Sequence, residues 1–287
     1  MLIYVGIPYV ALVAIMGFCQ RQLLYQPTRT DLLPASLHAT ASLPIHDVEL
    51  EVGGGQRLHG WRFAGAESAK LEPPSLVIYF PGNGGCRADR IADGRDFQQL
   101  GYDVLLFDYR GFGDNSGSPT EAALSADATC IWKFATEDLQ YPPGRIVIFG
   151  ESLGGAIATR LTAECCQRGA PPAALILNST FASLAETVAW RFPLFPFQYL
   201  LLDRYPSVER IPHVTCPLLQ FHGTADSTIS FDHGQRLFEA APAQSTSGIQ
   251  KQFVPIPGGE HNLVSMHDMQ SAVTKLLTRV RQGAAPE

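Results

Sequence analysis

Short, continuous apolar runs alternate with longer helical stretches along most of this chain, and this alternation constrains the fold more than any other feature. The runs are Leu76–Phe80, Val104–Phe107, Ile146–Phe149, Ala174–Leu177, Leu218–Phe221 and Gln252–Ile256. Continuous apolar character is typical of strands that are buried on both faces, as in a parallel sheet. Helical stretches are predicted over residues 87–100, 120–138, 153–168, 231–240 and 262–281. The chain is therefore expected to form an α/β structure, a mostly parallel doubly wound sheet with right-handed crossovers.

Two further segments complete the predicted architecture. Asp47–Val52 and Leu58–Phe63 alternate polar and apolar residues on either side of three glycines, which predicts an antiparallel N-terminal hairpin. Residues 181–213 are long, aromatic and proline-containing, and they predict a small helical cap with an apolar lining. We therefore expect a connector over residues 20–46 and one domain over residues 47–282 that includes this cap.

The N-terminus forms a separate unit. Residues 2–18 carry no charged side chain, and their length lies at the lower edge of what spans a bilayer. A signal peptide would need a basic start and a small-residue cleavage site, and a lipoprotein cysteine at Cys19 would need a small residue in place of Phe18. A third alternative, a helix buried in the fold, is disfavoured because no polar face interrupts the apolar run. Residues 1–19 are therefore predicted to be a single-pass membrane anchor.

Charge distribution and cysteine spacing limit where the protein is expected to be located and what it is expected to bind. Arg21 and Arg29 follow the apolar segment, so the positive-inside rule favours a cytoplasmic location for the rest of the chain. The six cysteines show neither a C-x-x-C pair nor a zinc-ligand spacing, which is typical of reduced thiols and predicts no metal site. A net charge of −6 without a block of basic residues argues against nucleic-acid binding.

A glycine-flanked serine is the strongest local motif. Gly150-Glu151-Ser152-Leu153-Gly154-Gly155 follows the third apolar run and opens a predicted helix. Gly-x-Ser-x-Gly between a strand and a helix is the pattern of a nucleophile elbow. Its serine needs a strained backbone on a sharp turn, so the positions two residues away must lack side chains. Ser152 is the candidate nucleophile, and the alternative without chemistry is a serine that caps the helix.

A serine hydroxyl is a poor nucleophile without a base. On folds of this type the chain order is Ser, acid, His. Asp226 lies just past the fifth apolar run and His261 just past the sixth, where partners of Ser152 are expected. His261 is the predicted base and Asp226 the predicted acid. The rivals are His267 for the base and Glu260 and Asp203 for the acid, while His222 is expected to have a structural hydrogen-bonding role.

An oxyanion would need two backbone donors. The N–H of Leu153 at the helix start is one candidate, and the N–H of Asn83, in the glycine-rich loop after the first run, is the other. A second glycine-rich turn follows the run Val104–Phe107. There Asp108 and Arg110 are expected to form an ion pair that holds loops together rather than to take part in chemistry.

These motifs resemble a known group. FPGNGG, FDYRGFGDNSGSPTEAALSAD, GESLGG, LILNSTFASL, HGTADSTIS and PGGEHN occur in the order seen in the α/β-hydrolase superfamily, and they most resemble its serine-aminopeptidase-like branch of membrane-anchored hydrolases. The resemblance covers about residues 20–280 and is not specific for a substrate. Two departures are Pro81-Gly82, where many relatives carry His-Gly, and Ile229-Ser230, where Val/Ile-Pro is common.

The resemblance implies an α/β-hydrolase fold with a catalytic triad. In it, Ser152, Asp226 and His261 take the triad roles, and Leu153 and Asn83 take the oxyanion roles. The implied activity is hydrolysis of a carboxylic ester or thioester through an acyl-enzyme, with no cofactor and no metal. The aromatic cap and the apolar N-terminus favour an acyl or aromatic ester near a membrane, with a small-molecule or lipid-like acyl ester as the expected substrate. The alternatives are a serine peptidase or amidase with the same triad and a non-enzymatic, membrane-tethered scaffold.

Overall fold

A computed structural model of the chain describes residues 2–65, 75–262 and 266–283. Its strands are β1 (Gln26–Pro27), β2 (Ile45–Val52), β3 (Gln56–Phe63), β4 (Leu76–Phe80), β5 (Gly84–Gly85), β6 (Asp103–Phe107), β7 (Ile146–Glu151), β8 (Ala174–Asn178), β9 (Leu218–Gly223) and β10 (Gln252–Ile256). In this part of the chain, eight strands form one sheet in the order β2-β3-β6-β4-β7-β8-β9-β10. Strands β6 to β10 and β4 pair in parallel, while β2 and β3 pair antiparallel at one edge. The prediction of a mostly parallel sheet with an antiparallel hairpin is confirmed.

Helices cover both faces of the sheet. In the described residues the α-helices are α1 (Ile7–Leu24), which lies outside the core, α2 (Ile91–Gln99), α3 (Glu121–Lys133), α4 (Leu153–Gln167), α5 (Leu184–Arg191), α6 (Phe197–Leu200), α7 (Ser207–Arg210), α8 (Phe231–Ala240) and α9 (Met266–Gln282). Helix α3 begins where the Thr120 hydroxyl accepts a hydrogen bond from the backbone N–H of Ala123, an N-cap that satisfies an otherwise free donor. A π-helical turn, Phe134–Asp138, continues it.

The core is split by the sheet into two apolar clusters. Along β4, Leu76, Ile78 and Phe80 belong to one cluster, and Val77 and Tyr79 belong to the other. All five side chains are buried. Because successive side chains of a strand point to opposite faces, a run that is apolar throughout can fill both clusters. This is why the continuous runs in the sequence correspond to the central strands.

The segment predicted as a connector, residues 20–46, has more structure than expected. Helix α1 continues to Leu24, past the predicted end of the apolar unit at residue 19. The Gln20 side chain holds this last turn by donating to the Leu200 carbonyl over 3.1 Å and accepting from the Leu202 N–H over 2.7 Å. Because the cap-side backbone satisfies the Gln20 side chain, this polar residue does not end the helix, and α1 continues past residue 19.

Helix α1 stands apart from the core. None of its residues is buried, whereas the helices against the sheet each bury an apolar face. Among the described residues it contributes the single stretch, Tyr4–Leu24, that is long and apolar enough to cross a membrane. Its contacts with the remainder of the chain are made at its C-terminal end and with the segment of residues 181–213, called the cap segment below.

The predicted ion pair between Asp108 and Arg110 is wrong. Asp108 instead pairs with Arg87 at 2.5 Å, and both side chains are fully buried. Arg87 also contacts Asp114 at 2.7 Å, and Arg110 pairs with Asp127 of α3. A buried carboxylate requires a cation that is itself desolvated beside it. Here that cation comes from the 3₁₀ turn Arg87–Arg90, 21 residues earlier in the chain, so the neighbouring residues of Asp108 do not reveal it.

Candidate active site

Ser152 lies on a strained turn between β7 and α4. Its backbone has φ 51° and ψ −117°, a left-handed conformation that costs a non-glycine residue about 1–3 kcal/mol. Glycines make the turn possible: a Cβ at Gly150 would lie 2.6 Å from the Cα of Gly155, and one at Gly154 would overlap the carbonyl oxygens of Phe80 and Pro81. The turn therefore presents the Ser152 hydroxyl at the carboxyl end of β7.

The structure brings Ser152, His261 and Asp226 together. His261 Nε2 lies 3.0 Å from Ser152 Oγ, and His261 Nδ1 lies 2.7 Å from Asp226 Oδ2. The three residues follow β7, β10 and β9, whose carboxyl ends meet at one edge of the sheet, where ligands of open α/β sheets bind. This chain of contacts allows a proton to pass from the serine hydroxyl to the imidazole while the carboxylate orients the ring.

Asp226 is held in place and kept ionised. Its Oδ1 accepts hydrogen bonds from the N–H groups of Thr228 and Ile229 at 2.9 and 2.8 Å. Burial alone would raise the pKa of Asp226, but hydrogen bonds from His222, His261 and Ile229 outweigh it and hold this pKa well below its ordinary value. Buried His222 also places Nε2 2.9 Å from the Ile229 carbonyl, so the structure gives this histidine the expected hydrogen-bonding position.

The loop after β4 is fastened to the end of α1. The Asn83 side chain donates to the Leu24 carbonyl over 2.6 Å, and the Asn83 carbonyl accepts from the Gln26 N–H over 2.8 Å. Strands β1 and β5 pair in parallel at this point. Leu153 follows Ser152 and is the first residue of α4. Of the two residues predicted to supply oxyanion donors, one thus stands at a helix N-terminus directly after Ser152, and the other lies on a tethered loop that lines the same cavity as Ser152.

A polar cavity of about 480 Å³ opens beside Ser152 and His261. Its wall carries a hydrogen-bonded cluster that we did not predict. Arg90 contacts both carboxylate oxygens of Glu151, at 2.8 and 3.0 Å, and the Tyr79 hydroxyl lies 2.9 Å from Glu151 and 3.1 Å from Asp93. This cavity, called the polar cavity below, can bind hydrogen-bonding parts of a substrate next to the serine.

Burial and the neighbouring Glu151 carboxylate raise the pKa of Asp93 to about 6. Sequence reasoning missed this cluster because Glu151 stands at the variable position of the elbow motif and Arg90 and Asp93 lie in an ordinary helical stretch. Their shared location depends on helix α2 and the 3₁₀ turn before it packing over the end of β7, which no local pattern indicates.

The rival residues are placed elsewhere or lie outside the described side chains. Asp203 accepts hydrogen bonds from Arg21 at 2.9 Å and from Tyr25 at 3.2 Å. Glu260 contacts exposed Ser227 at 3.0 Å. The side chain of His267 is not among those described. In the part of the chain that the structure describes, no group of three His, Cys, Asp or Glu side chains is arranged to hold a metal ion.

Comparison with known proteins identifies the family. A family model for the alpha/beta hydrolase fold matches residues 75–203. The protein Rv2307c of Mycobacterium tuberculosis is 38% identical over 284 residues, which cover 95% of each chain. The lysophosphatidylserine lipase ABHD12 of Danio rerio is 34% identical over 218 residues, which cover 68% of this chain and 56% of that lipase. This chain thus spans about half the length of that relative.

Solved structures agree on the fold. The Pyrococcus furiosus esterase Pf2001 superposes with a TM-score of 0.64 at 18% identity, over 89% of this chain and 97% of the esterase. An alpha-beta hydrolase from Vibrio vulnificus superposes with a TM-score of 0.67 at 18% identity, over 88% and 96% of the two chains. The chain belongs to the α/β-hydrolase fold family, and it is an enzyme of the serine-hydrolase type.

Proposed function

We propose that this enzyme hydrolyses the carboxylic ester of a lipid-like acyl substrate at a membrane, with Ser152 as nucleophile, His261 as base and Asp226 as the residue that orients the base. The observation that carries the proposal is the 3.0 Å contact between His261 Nε2 and the hydroxyl of a serine on a strained elbow. A nucleophile within hydrogen-bond reach of a base that a third group orients is the arrangement that acyl transfer requires.

The reaction proceeds through an acyl-enzyme. Ser152 Oγ attacks the ester carbonyl while His261 accepts its proton, and the N–H groups of Leu153 and Asn83 stabilise the negative oxygen. His261 then donates the proton to the departing alcohol, and the acyl group remains on Ser152. A water molecule, deprotonated by His261, attacks this acyl group; His261 then returns the proton to Ser152 Oγ as the bond to the acyl group breaks and the acid is released. A thioester follows the same course with a thiol as leaving group.

Support for an ester over a peptide comes from the wall of the polar cavity. A peptidase that reads a free substrate N-terminus needs a carboxylate available for the ammonium group. Glu151, the carboxylate next to the nucleophile, has both oxygens bound by Arg90 at 2.8 and 3.0 Å. Support for a lipid-like acyl group comes from the relative in Danio rerio, whose name states a lysophosphatidylserine lipase, and from helix α1.

Membrane attachment through α1 is part of the proposal. Deleting residues 1–19 removes most of the apolar stretch Tyr4–Leu24. We expect the full chain to stay with membranes after an alkaline carbonate wash and the shortened chain to be released. Equal retention of both proteins would contradict anchoring by this helix.

The activity is tested with purified full-length protein and p-nitrophenyl esters from acetate to palmitate. Ser152→Ala should lower kcat/KM by about a thousandfold or more, because no other hydroxyl occupies the elbow. Ser227→Ala, an exposed serine near Asp226, serves as the matched control and should retain activity. A Ser152→Ala enzyme with near-normal turnover would overturn the nucleophile assignment. Labelling by a fluorophosphonate probe, lost in Ser152→Ala, provides an independent readout of an activated serine.

A further inference from the structure

A second cavity, of about 330 Å³, lies between α1 and the cap segment. We call it the helix–cap cavity. Its walls are mainly apolar side chains from both sides, among them Met16, Leu23 and Leu24 of α1 and Val188, Phe197 and Leu200 of the cap segment. The volume is within the range of small-molecule sites, which begins at about 300 Å³. Ser152 and His261 line the polar cavity instead.

Specific contacts close the cavity, so it is built into the fold. The Tyr9 hydroxyl donates to the Leu194 carbonyl over 3.0 Å, and the Tyr9 ring stacks on Phe195 with centroids 5.3 Å apart. At the other end Arg21 pairs with Asp203 at 2.9 Å, and this pair lines the cavity floor together with Gln20. The two walls are therefore joined above and below a space that remains open between them.

The surroundings of the cavity indicate its occupant. Helix α1 forms one wall and is also the stretch long enough to cross a bilayer. The cap segment forms the opposite wall and, outside the cavity lining, exposes Leu194, Tyr199 and Leu202, with 80%, 76% and 65% of their surfaces accessible. Large apolar side chains exposed within one short segment are typical of surfaces that contact membranes or ligands. Because Tyr9 and Arg21 fasten the cap segment to α1, insertion of α1 into a bilayer would place these side chains and the cavity next to lipid.

The helix–cap cavity is also close to the active site along the chain. Leu24 lines this cavity and Gln26 lines the polar cavity, so Tyr25 alone separates the two walls. The Leu24 carbonyl is the group that accepts the Asn83 side chain. An apolar chain held beside Leu24 would lie next to the loop that we propose stabilises the oxyanion.

We propose that the helix–cap cavity binds one acyl chain of a membrane lipid, which enters from the bilayer between α1 and the cap segment. The chain belongs either to the substrate whose ester reaches Ser152 or to a lipid that stays bound, and the chemistry recognised is the same in both cases. The kinetic test of the first source rests on the proposed function. A direct binding test does not depend on it.

Gly17 allows the cavity to be filled without a change at the active site. It lines the cavity, and a Cβ there would meet Leu200 at 3.6 Å, an ordinary contact. Gly17→Phe should fill the space, whereas Gly17→Ala should leave most of it open. Ile15→Phe adds the same ring at an exposed position of the same helix and controls for bulk alone.

The experiment uses the full chain in phosphatidylcholine vesicles. Gly17→Phe should lower kcat/KM for p-nitrophenyl palmitate by about tenfold or more and leave the acetate ester within about twofold, because only the long chain needs the cavity. The second arm adds phosphatidylcholine with a diazirine on its palmitoyl chain. Photo-crosslinks should map to residues 184–202 in the wild type and disappear in Gly17→Phe, while Gly17→Ala and Ile15→Phe retain them.

The outcomes separate the sources. Loss of both palmitate turnover and crosslinks assigns the cavity to the substrate chain. Loss of crosslinks with an unchanged chain-length profile assigns it to a resident bilayer lipid, which also supports an acyl-chain site. Wild-type protein without crosslinks in residues 184–202, together with an unchanged profile in Gly17→Phe, overturns the proposal. Wild-type protein that hydrolyses no ester and ignores the fluorophosphonate contradicts the proposed function instead, and the crosslinking arm then still tests the cavity.

Discussion

The polar cavity and the helix–cap cavity are built by opposite means. The polar cavity lies at the carboxyl ends of buried strands, and its functional groups are held by hydrogen bonds, as in the 2.7 Å contact of His261 with Asp226. The helix–cap cavity lies between α1 and the cap segment, and its walls are mainly apolar side chains that range from buried Leu184 to exposed Leu23. Rigid backbone positions reacting groups in the first, while the second offers a surface that adapts to an alkyl chain.

Substitutions in the two cavities should therefore have different consequences. Substitutions at the polar cavity should lower the rate of ester hydrolysis or the free energy of unfolding, because its atoms are packed at fixed distances. Substitutions at the helix–cap cavity should affect chain-length preference and the attachment of α1, because its walls meet through a few side-chain contacts.

Asp226→Asn should cause the largest loss among these changes. An amide cannot stabilise the protonated imidazole and can favour the wrong tautomer of His261, so kcat should fall by about a thousandfold or more. Steady-state hydrolysis of a short p-nitrophenyl ester measures this. Glu260→Gln, on the neighbouring loop, is the matched control and should retain activity within about twofold. Comparable losses in both variants would contradict the assignment of the acid.

Gly154→Ala and Gly17→Ala compare one methyl group in the two regions. At Gly154 the new Cβ would overlap the carbonyl oxygens of Phe80 and Pro81, and backbone atoms cannot move aside cheaply. We expect a loss of about 3 kcal/mol in the free energy of unfolding, or failure to fold. At Gly17 the added Cβ makes an ordinary 3.6 Å contact, and the change should stay within about 0.5 kcal/mol. Urea unfolding in detergent measures both, and equal losses would remove the distinction between the regions.

Asp93→Asn should stabilise the protein in a pH-dependent way. The folded state raises the pKa of Asp93 from its ordinary 3.8 to about 6. Between these values the folded protein keeps a proton that the unfolded chain has released, so stability falls as the pH rises through about 6. Asparagine does not ionise and can still accept from Tyr79. The free energy of unfolding should therefore rise by about 1–2 kcal/mol near neutral pH and by less on acidification towards pH 4.

Thermal unfolding of wild type and Asp93→Asn across this pH range gives the comparison. A stabilisation that is constant with pH would show that the carboxyl charge is not its cause. A destabilisation near neutral pH would show that the ionised carboxylate supports the cluster around Glu151.

Among the substitutions expected to change stability, Tyr25→Phe should have the smallest effect. The buried Tyr25 hydroxyl contacts Tyr205 at 2.8 Å and Asp203 at 3.2 Å and fastens the end of α1 to the cap segment. Removing it should cost about 1 kcal/mol, a typical net contribution of a hydrogen bond. Tyr4→Phe changes an exposed hydroxyl on the same apolar segment and should leave the unfolding free energy unchanged. A loss as large in Tyr4→Phe as in Tyr25→Phe would contradict a specific role for this contact.

The proximity of Ser152, Asp226 and His261 could be anticipated because each follows a run that must be a buried strand. Parallel strands bring their carboxyl ends to one edge, so residues far apart in the chain meet there. The contacts of Arg87 with Asp108 and of Arg90 with Glu151 could not be anticipated. Both cations come from the 3₁₀ turn Arg87–Arg90, far from their partners in the sequence, and several other basic residues were equally plausible partners.

The sequence by itself determined the layered sheet, the elbow and the apolar α1, because periodicity, glycine placement and the absence of charge are local properties that physics interprets directly. Only the tertiary structure decided that α1 continues to Leu24, contacts the cap segment through Gln20 and Arg21 and encloses a cavity with it. Such contacts join residues about 180 positions apart in the chain. Pairs this distant produce no periodic pattern or motif spacing in the sequence, so only the packing of the two segments reveals them.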